Sequence, residues 1–143
     1  MDHPINPLLG PIVALAAWTI LMLFFGAYRT LSAAKGADLK GVPKVARARD
    51  LEGYIPVEAT WGRQNYEHLV EQPTIFYAIV LTLVAIGDTF ALNLWLAWAY
   101  VGLRIVHSVV QVMGKSRFLP FIASTLVLLA LIVHAALEFL HHA

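Results

Sequence analysis

The sequence predicts an all-α integral membrane protein, a bundle of four transmembrane helices, and three observations carry that prediction. Of 143 residues, 59% are hydrophobic and 13% charged, against roughly 45–50% and 25% in a soluble domain; the mean hydropathy is +0.71. Two long runs, Pro7 to Tyr28 and Phe118 to Leu137, contain no Asp, Glu, Lys or Arg. Each is long enough to cross a hydrocarbon core of about 30 Å at about 1.5 Å per residue. Finally, the basic residues of the connections from Lys35 to Arg63 and from Lys115 to Arg117 all fall on one side of a four-helix arrangement.

Taken in order, the first helix is predicted over about residues 7–34. No basic residue precedes its apolar run and the run is too long for a signal-peptide core, so a cleavable signal is not expected. The connection over about 35–65 far exceeds the two to eight residues usual between packed helices. Gly36, Gly41, Pro43, Gly53 and Pro56 argue against a continuous helix there, whereas Tyr54, Ile55, Val57 and Trp61 suit the headgroup level. A partly ordered flap is the expectation. The second helix follows over about 66–87, a tight Gly87-Asp88-Thr89 turn leads to the third over about 90–113, and Gly114 to Arg117 leads to the fourth over about 118–140. Short turns make the last three helices antiparallel neighbours. The chain is thus one membrane domain, 1–143. By the positive-inside rule the two basic connections are cytoplasmic and both termini face away. Without cysteine there is no disulfide framework, thiol nucleophile or thiolate metal site.

Ionisable residues inside a membrane helix are costly and tend to be paired and turned toward the protein interior. Counted from the helix ends, Glu71, His107 and Arg104 lie about 7, 9 and 13 Å into the same half of the membrane. Arg104, His107 and Gln111 share one face of the third helix by their i, i+3 and i+4 spacing, and His68 and Glu71 share a face of the second, with Arg63 and Glu67 a turn behind. Glu71 and Arg104 are therefore expected as partners, either in an ion pair that sets helix register or as walls of a polar pocket. Glu67 and His68, taken alone, suit snorkelling at the interface. His134 suits a packing histidine, and the His141–His142 pair is too small for a metal site.

In length, helix count and polar start to the second helix, the chain resembles the MAPEG family, the membrane-associated proteins of eicosanoid and glutathione metabolism. The resemblance rests on Arg63, Asn65, His68, Glu71, Pro73 and Phe76 in the second helix and on Arg104-Ile-Val-His107 in the third. It implies a MAPEG-like homotrimer, of a divergent bacterial type and placed in the bacterial inner membrane, with glutathione bound in the cytoplasmic half between helices of neighbouring subunits. The positions it transfers as glutathione-binding are Arg29, Arg63, Asn65, Glu71 and His107, and the arginine beside the thiolate is Arg104 or Arg117. The chain departs from the family pattern in having His68 where an asparagine stands and Gln111 where glutathione-using members place a tyrosine. The implied function is a glutathione-dependent transferase or peroxidase acting on lipophilic electrophiles. The alternative is a non-catalytic membrane subunit that binds lipid or packs in a larger membrane complex. No nucleic-acid partner is expected. A proton-coupled exporter ranks last, because the polar set avoids the midplane where a transporter site should lie.

Overall fold

A computed structural model describes residues 5–44 and 47–142, with the side chain of His142, one of the tail histidines, outside the description. Helix α1 spans Leu9–Ala34; two single 3₁₀ turns, Ala48–Leu51 and Val57–Ala59, punctuate the long connection. Then come α2 (Trp61–Glu71), α3 (Pro73–Ala85), α4 (Ala91–Val112) and α5 (Phe118–His142). The second predicted helix is thus the α2–α3 rod. Gln72 keeps helical angles, φ −64° and ψ −39°, but Pro73 has no N–H to return to the carbonyl four residues back. A proline at the first position of α3 is tolerated for the same reason.

Leu9–Ala34, the rod Val57–Ala85 and Phe118–His141 are each long and apolar enough to cross a membrane. The remaining helix, α4, has the length but carries Asn93, Arg104, His107, Ser108 and Gln111 on its buried face. Large apolar side chains such as Phe24, Tyr28, Trp95, Leu119 and Leu126 point outward, as expected where lipid is the solvent. On α1 the buried positions Leu15, Thr19, Met22, Gly26 and Thr30 recur at three- and four-residue steps, the signature of one inward helical face.

The polar start of the second helix differs from the expectation. Helicity begins at Trp61 rather than at Tyr66, so part of the predicted connection is helix. The segment is poor in apolar residues, but Gly62, Asn65 and Leu69 form its buried face. Gly62 meets Gly26 so closely that a Cβ on Gly26 would sit 2.7 Å from the Gly62 carbonyl carbon and from the Arg63 nitrogen. Above that crossing, the Thr30 hydroxyl donates to the Ala59 carbonyl (3.2 Å) and Arg29 Nη2 to the Glu58 carbonyl (3.4 Å). The late part of the connection is therefore anchored on α1, with Ile55, Ala59 and Thr60 buried.

Tertiary links set the order of the ends. Asn6 Nδ2 donates to the Asp88 carbonyl at 3.0 Å, so the start of α1 and the Gly87–Thr89 turn lie together. At the opposite, basic end Trp61 rests on Gly114. Between them the Trp18 indole donates to Ser108 Oγ (3.1 Å), the Gln72 amide to Thr125 Oγ1 (2.9 Å), and Phe76 stacks on Tyr100 at 4.5 Å.

Candidate functional site

The break before Pro73 organises the polar interior. At the end of α2 the last carbonyls lose their intrahelical donors. The Thr74 hydroxyl donates to the Glu71 carbonyl at 2.5 Å, and Arg104 Nη2 reaches across from α4 to the His68 carbonyl at 2.6 Å. Arg104 Nη1 donates to Gln72 Oε1 at 3.2 Å, and the guanidinium carbon lies 5.9 Å from the Tyr100 ring centroid. A cation at a helix C-terminus also complements the negative end of the helix dipole. Arg104 is 1% exposed, and its partners belong to the fold.

The expected Glu71–Arg104 pairing is therefore corrected. Successive helical residues are rotated by about 100°, so it is Gln72 that faces Arg104. Glu71 points outward, its side chain 69% exposed, and its Oε2 lies 3.2 Å from His68 Nδ1. The Arg63–Glu67 pair turns to yet another face. Arg63 donates to Glu67 Oε1 at 2.5 Å and also pairs with Glu52, beside a second cavity of about 400 Å³ between α1 and α2. Arg29 stays on that α1 side, on the Glu58 carbonyl.

The larger cavity, about 620 Å³, opens at the basic end between the start of α2, the end of α4 and the start of α5. Trp61, Gln64 and His68 line it from α2, and His107 and Gln111 from α4. Lys115 and Arg117 come from the turn, and Phe118 and Phe121 close the side toward α5. The His68 and His107 rings meet edge-on, with centroids 6.1 Å apart. Behind the wall, buried Asn65 donates Nδ2–H to Gln111 Oε1 at 3.0 Å. Asn65 Oδ1, Gln111 Nε2 and His107 Nδ1 are buried and have no hydrogen-bond partner among the described residues.

Of the residues singled out in the sequence, the structure thus brings His107 and Arg117 to one cavity. It backs that cavity with Asn65, buries Arg104 beneath it, and sets Glu71 just outside through His68. Arg29 and Arg63 are kept apart. Sequence reasoning missed Gln64, Gln72 and Lys115, and it placed His68 on a polar stripe with Glu71 while reading it, taken alone, as an interface residue. The i, i+4 step from Gln64 to His68 was the available signal for that face.

Gly114 shapes the rim. Its φ is +68°, and a Cβ there would lie 2.5 Å from Trp61 Cη2. Gly114→Ala should therefore strain the turn and push the indole aside, costing about 1–3 kcal/mol. Thermal unfolding in detergent reads this directly; an unchanged Tm would mean that turn and indole relax without cost.

Fold and site together define an integral membrane α-helical protein with an amphipathic cavity at its basic end. The sequence profile of the MAPEG family matches residues 8–137, nearly the whole chain, and the protein belongs to that family. No curated protein matches the sequence.

Proposed function

We propose that the protein is a glutathione-dependent transferase or peroxidase for lipophilic electrophiles, with the larger cavity as its site. The observation that carries the reading is the composition of that cavity, which combines the cations Lys115 and Arg117 with the aromatic side chains Trp61, Phe118 and Phe121. Its volume lies within the roughly 300–1,000 Å³ of small-molecule sites. Glutathione offers two carboxylates, amides and a thiol, and this donor set fits it. Lys115 supplies a point charge and Arg117 a fork for the carboxylates. Gln64 offers a further polar group on the wall, while Gln111 Nε2 and His107 Nδ1 lie buried and without a hydrogen-bond partner among the described residues. Of the two arginines considered for the thiolate, Arg117 is the one on the cavity wall; Arg104 is buried, with Nη1 on Gln72 and Nη2 on His68 and its Nε unpartnered among the described residues. A cation beside a thiol favours the thiolate.

Phe118 and Phe121 are 65% and 41% exposed, so the same wall faces the bilayer and would admit a lipid-borne electrophile. Bringing thiolate and electrophile together is a proximity effect. In the bacterial inner membrane, with the basic end in the cytoplasm, the cavity opens to the cytosolic thiol pool. The homotrimer implied by the family resemblance would add groups from a neighbouring subunit to the site.

The test is direct glutathione binding to the detergent-purified protein. Arg117→Ala should weaken binding about 10- to 100-fold, the loss of a charge-assisted hydrogen bond of about 1.5–3 kcal/mol, with Tm unchanged. Absence of saturable binding at millimolar glutathione would sink the proposal. One observation favours a non-catalytic subunit instead: Gln111, at the position of the family's tyrosine, holds Asn65. Stable co-purification with a membrane partner, without turnover, would support that reading.

A further inference from the structure

Across the cavity, one imidazole has a feature that the binding role does not use. His68 Nδ1 lies 3.2 Å from Glu71 Oε2, while the ring itself lines the cavity. A carboxylate on one ring nitrogen holds the N–H there and leaves the other nitrogen with its lone pair. Nδ1–H thus points at Glu71, and Nε2 is the basic atom. The carboxylate is half of a base–orienter pair of the kind that activates nucleophiles.

We infer that His68, oriented by Glu71, is the base that removes the thiol proton of the bound co-substrate, an inference that rests on the glutathione reading above. In the step, the S–H bond breaks and an Nε2–H bond forms, giving a thiolate and an imidazolium. The imidazolium sits against the Glu71 carboxylate, and its proton passes to water from a ring whose side chain is 37% exposed. With an aryl halide as electrophile, the thiolate sulfur then forms the S–C bond and halide leaves with the C–halogen electron pair.

The charges around His68 explain why the carboxylate is needed. On its own helix it faces Glu71. From α4 it meets the His107 ring and the Arg104 guanidinium bound to its carbonyl. Lys115 and Arg117 line the same cavity from the turn, while α5 contributes only Phe118 and Phe121. Arg104, Lys115 and Arg117 are the cations around the ring, and Glu71 is the carboxylate in contact with it. The cations also hold the thiolate once it forms, so acid and base ends of the transfer are separately stabilised. Glu71 is a positioning residue in this scheme, acting through His68.

The experiment measures glutathione binding and chlorodinitrobenzene conjugation side by side, over a pH series, on the purified full chain. His68→Gln should bind glutathione within about threefold of wild type, yet lose about 10²- to 10⁴-fold in turnover at neutral pH. The deficit should shrink as pH approaches the ordinary thiol value of about 8.5, where solvent removes the proton unaided. Added imidazole should restore part of the turnover of His68→Ala. Glu71→Gln should lower turnover and move the acidic limb of the profile, and Glu71→Asp should recover much of it. Normal binding together with wild-type turnover and pH profile in His68→Gln overturns the assignment of His68 while leaving the glutathione reading intact. Failure of the wild-type protein to bind glutathione overturns both.

Discussion

Arg104→Ala is expected to destabilise the protein by about 3–6 kcal/mol, not merely to weaken a ligand. The partly buried His68 carbonyl loses its Arg104 donor and Gln72 Oε1 keeps only the long bond from the Tyr100 hydroxyl, at up to about 1–3 kcal/mol each. A large, fully buried side chain is removed as well, which leaves a void that the neighbours fill only in part. Arg104→Lys should recover less than half, since an ammonium on a flexible stem does not reproduce the planar fork. Thermal unfolding and size-exclusion profiles in detergent check the result. Wild-type stability with loss of glutathione binding would instead make Arg104 a ligand residue and reverse its separation from Arg117.

Gly26→Val should be at least as damaging. Even a Cβ at this position meets backbone on the facing segment at 2.7 Å, and backbone cannot rotate away as a side-chain tip can. In a bilayer, where apolar burial does not drive helices together, small residues at a crossing supply much of the contact. Overpacking of about 1–3 kcal/mol is the ordinary scale and more is expected at a backbone–backbone contact. Because α2 carries Trp61, Gln64 and His68 into the cavity, pushing it off α1 should also weaken glutathione binding, unlike a change confined to the lipid-facing surface. Gly26→Val with wild-type Tm and binding would show that the crossing adapts freely. Gly62→Val, on the other side of the contact, provides the independent check.

These two positions also show where sequence reasoning stops. The depth of Arg104 and His107 follows from counting along a helix, and both were legible as buried polar residues. Their partners were not. A single residue's error in phase is a 100° rotation, enough to exchange Glu71 for Gln72 as the side chain facing Arg104. Likewise, Arg63 and Glu67 lie a turn from His68 and Glu71 in sequence, yet they close on Glu52 and the α1 side. No periodicity in GRQNYE announces helix, because that segment is held by the glycine contact and by Asn65 on Gln111 rather than by an apolar stripe.

The sequence by itself determined the all-α membrane class, because long uncharged runs in a chain so poor in charge have few other solutions. It also determined where the helices turn: Gly87 and Gly114 adopt φ of +75° and +68° after α3 and α4, conformations that glycine allows at little cost. Tertiary structure alone decided the rotation of each helix about its axis. That rotation buried Arg104 on the carbonyl freed near Pro73, turned Glu71 outward onto His68, and gathered His107 and Arg117 at one cavity. The physical reason is that spacing along a helix specifies depth and relative angle, whereas absolute orientation is set by close packing with segments far away in the chain.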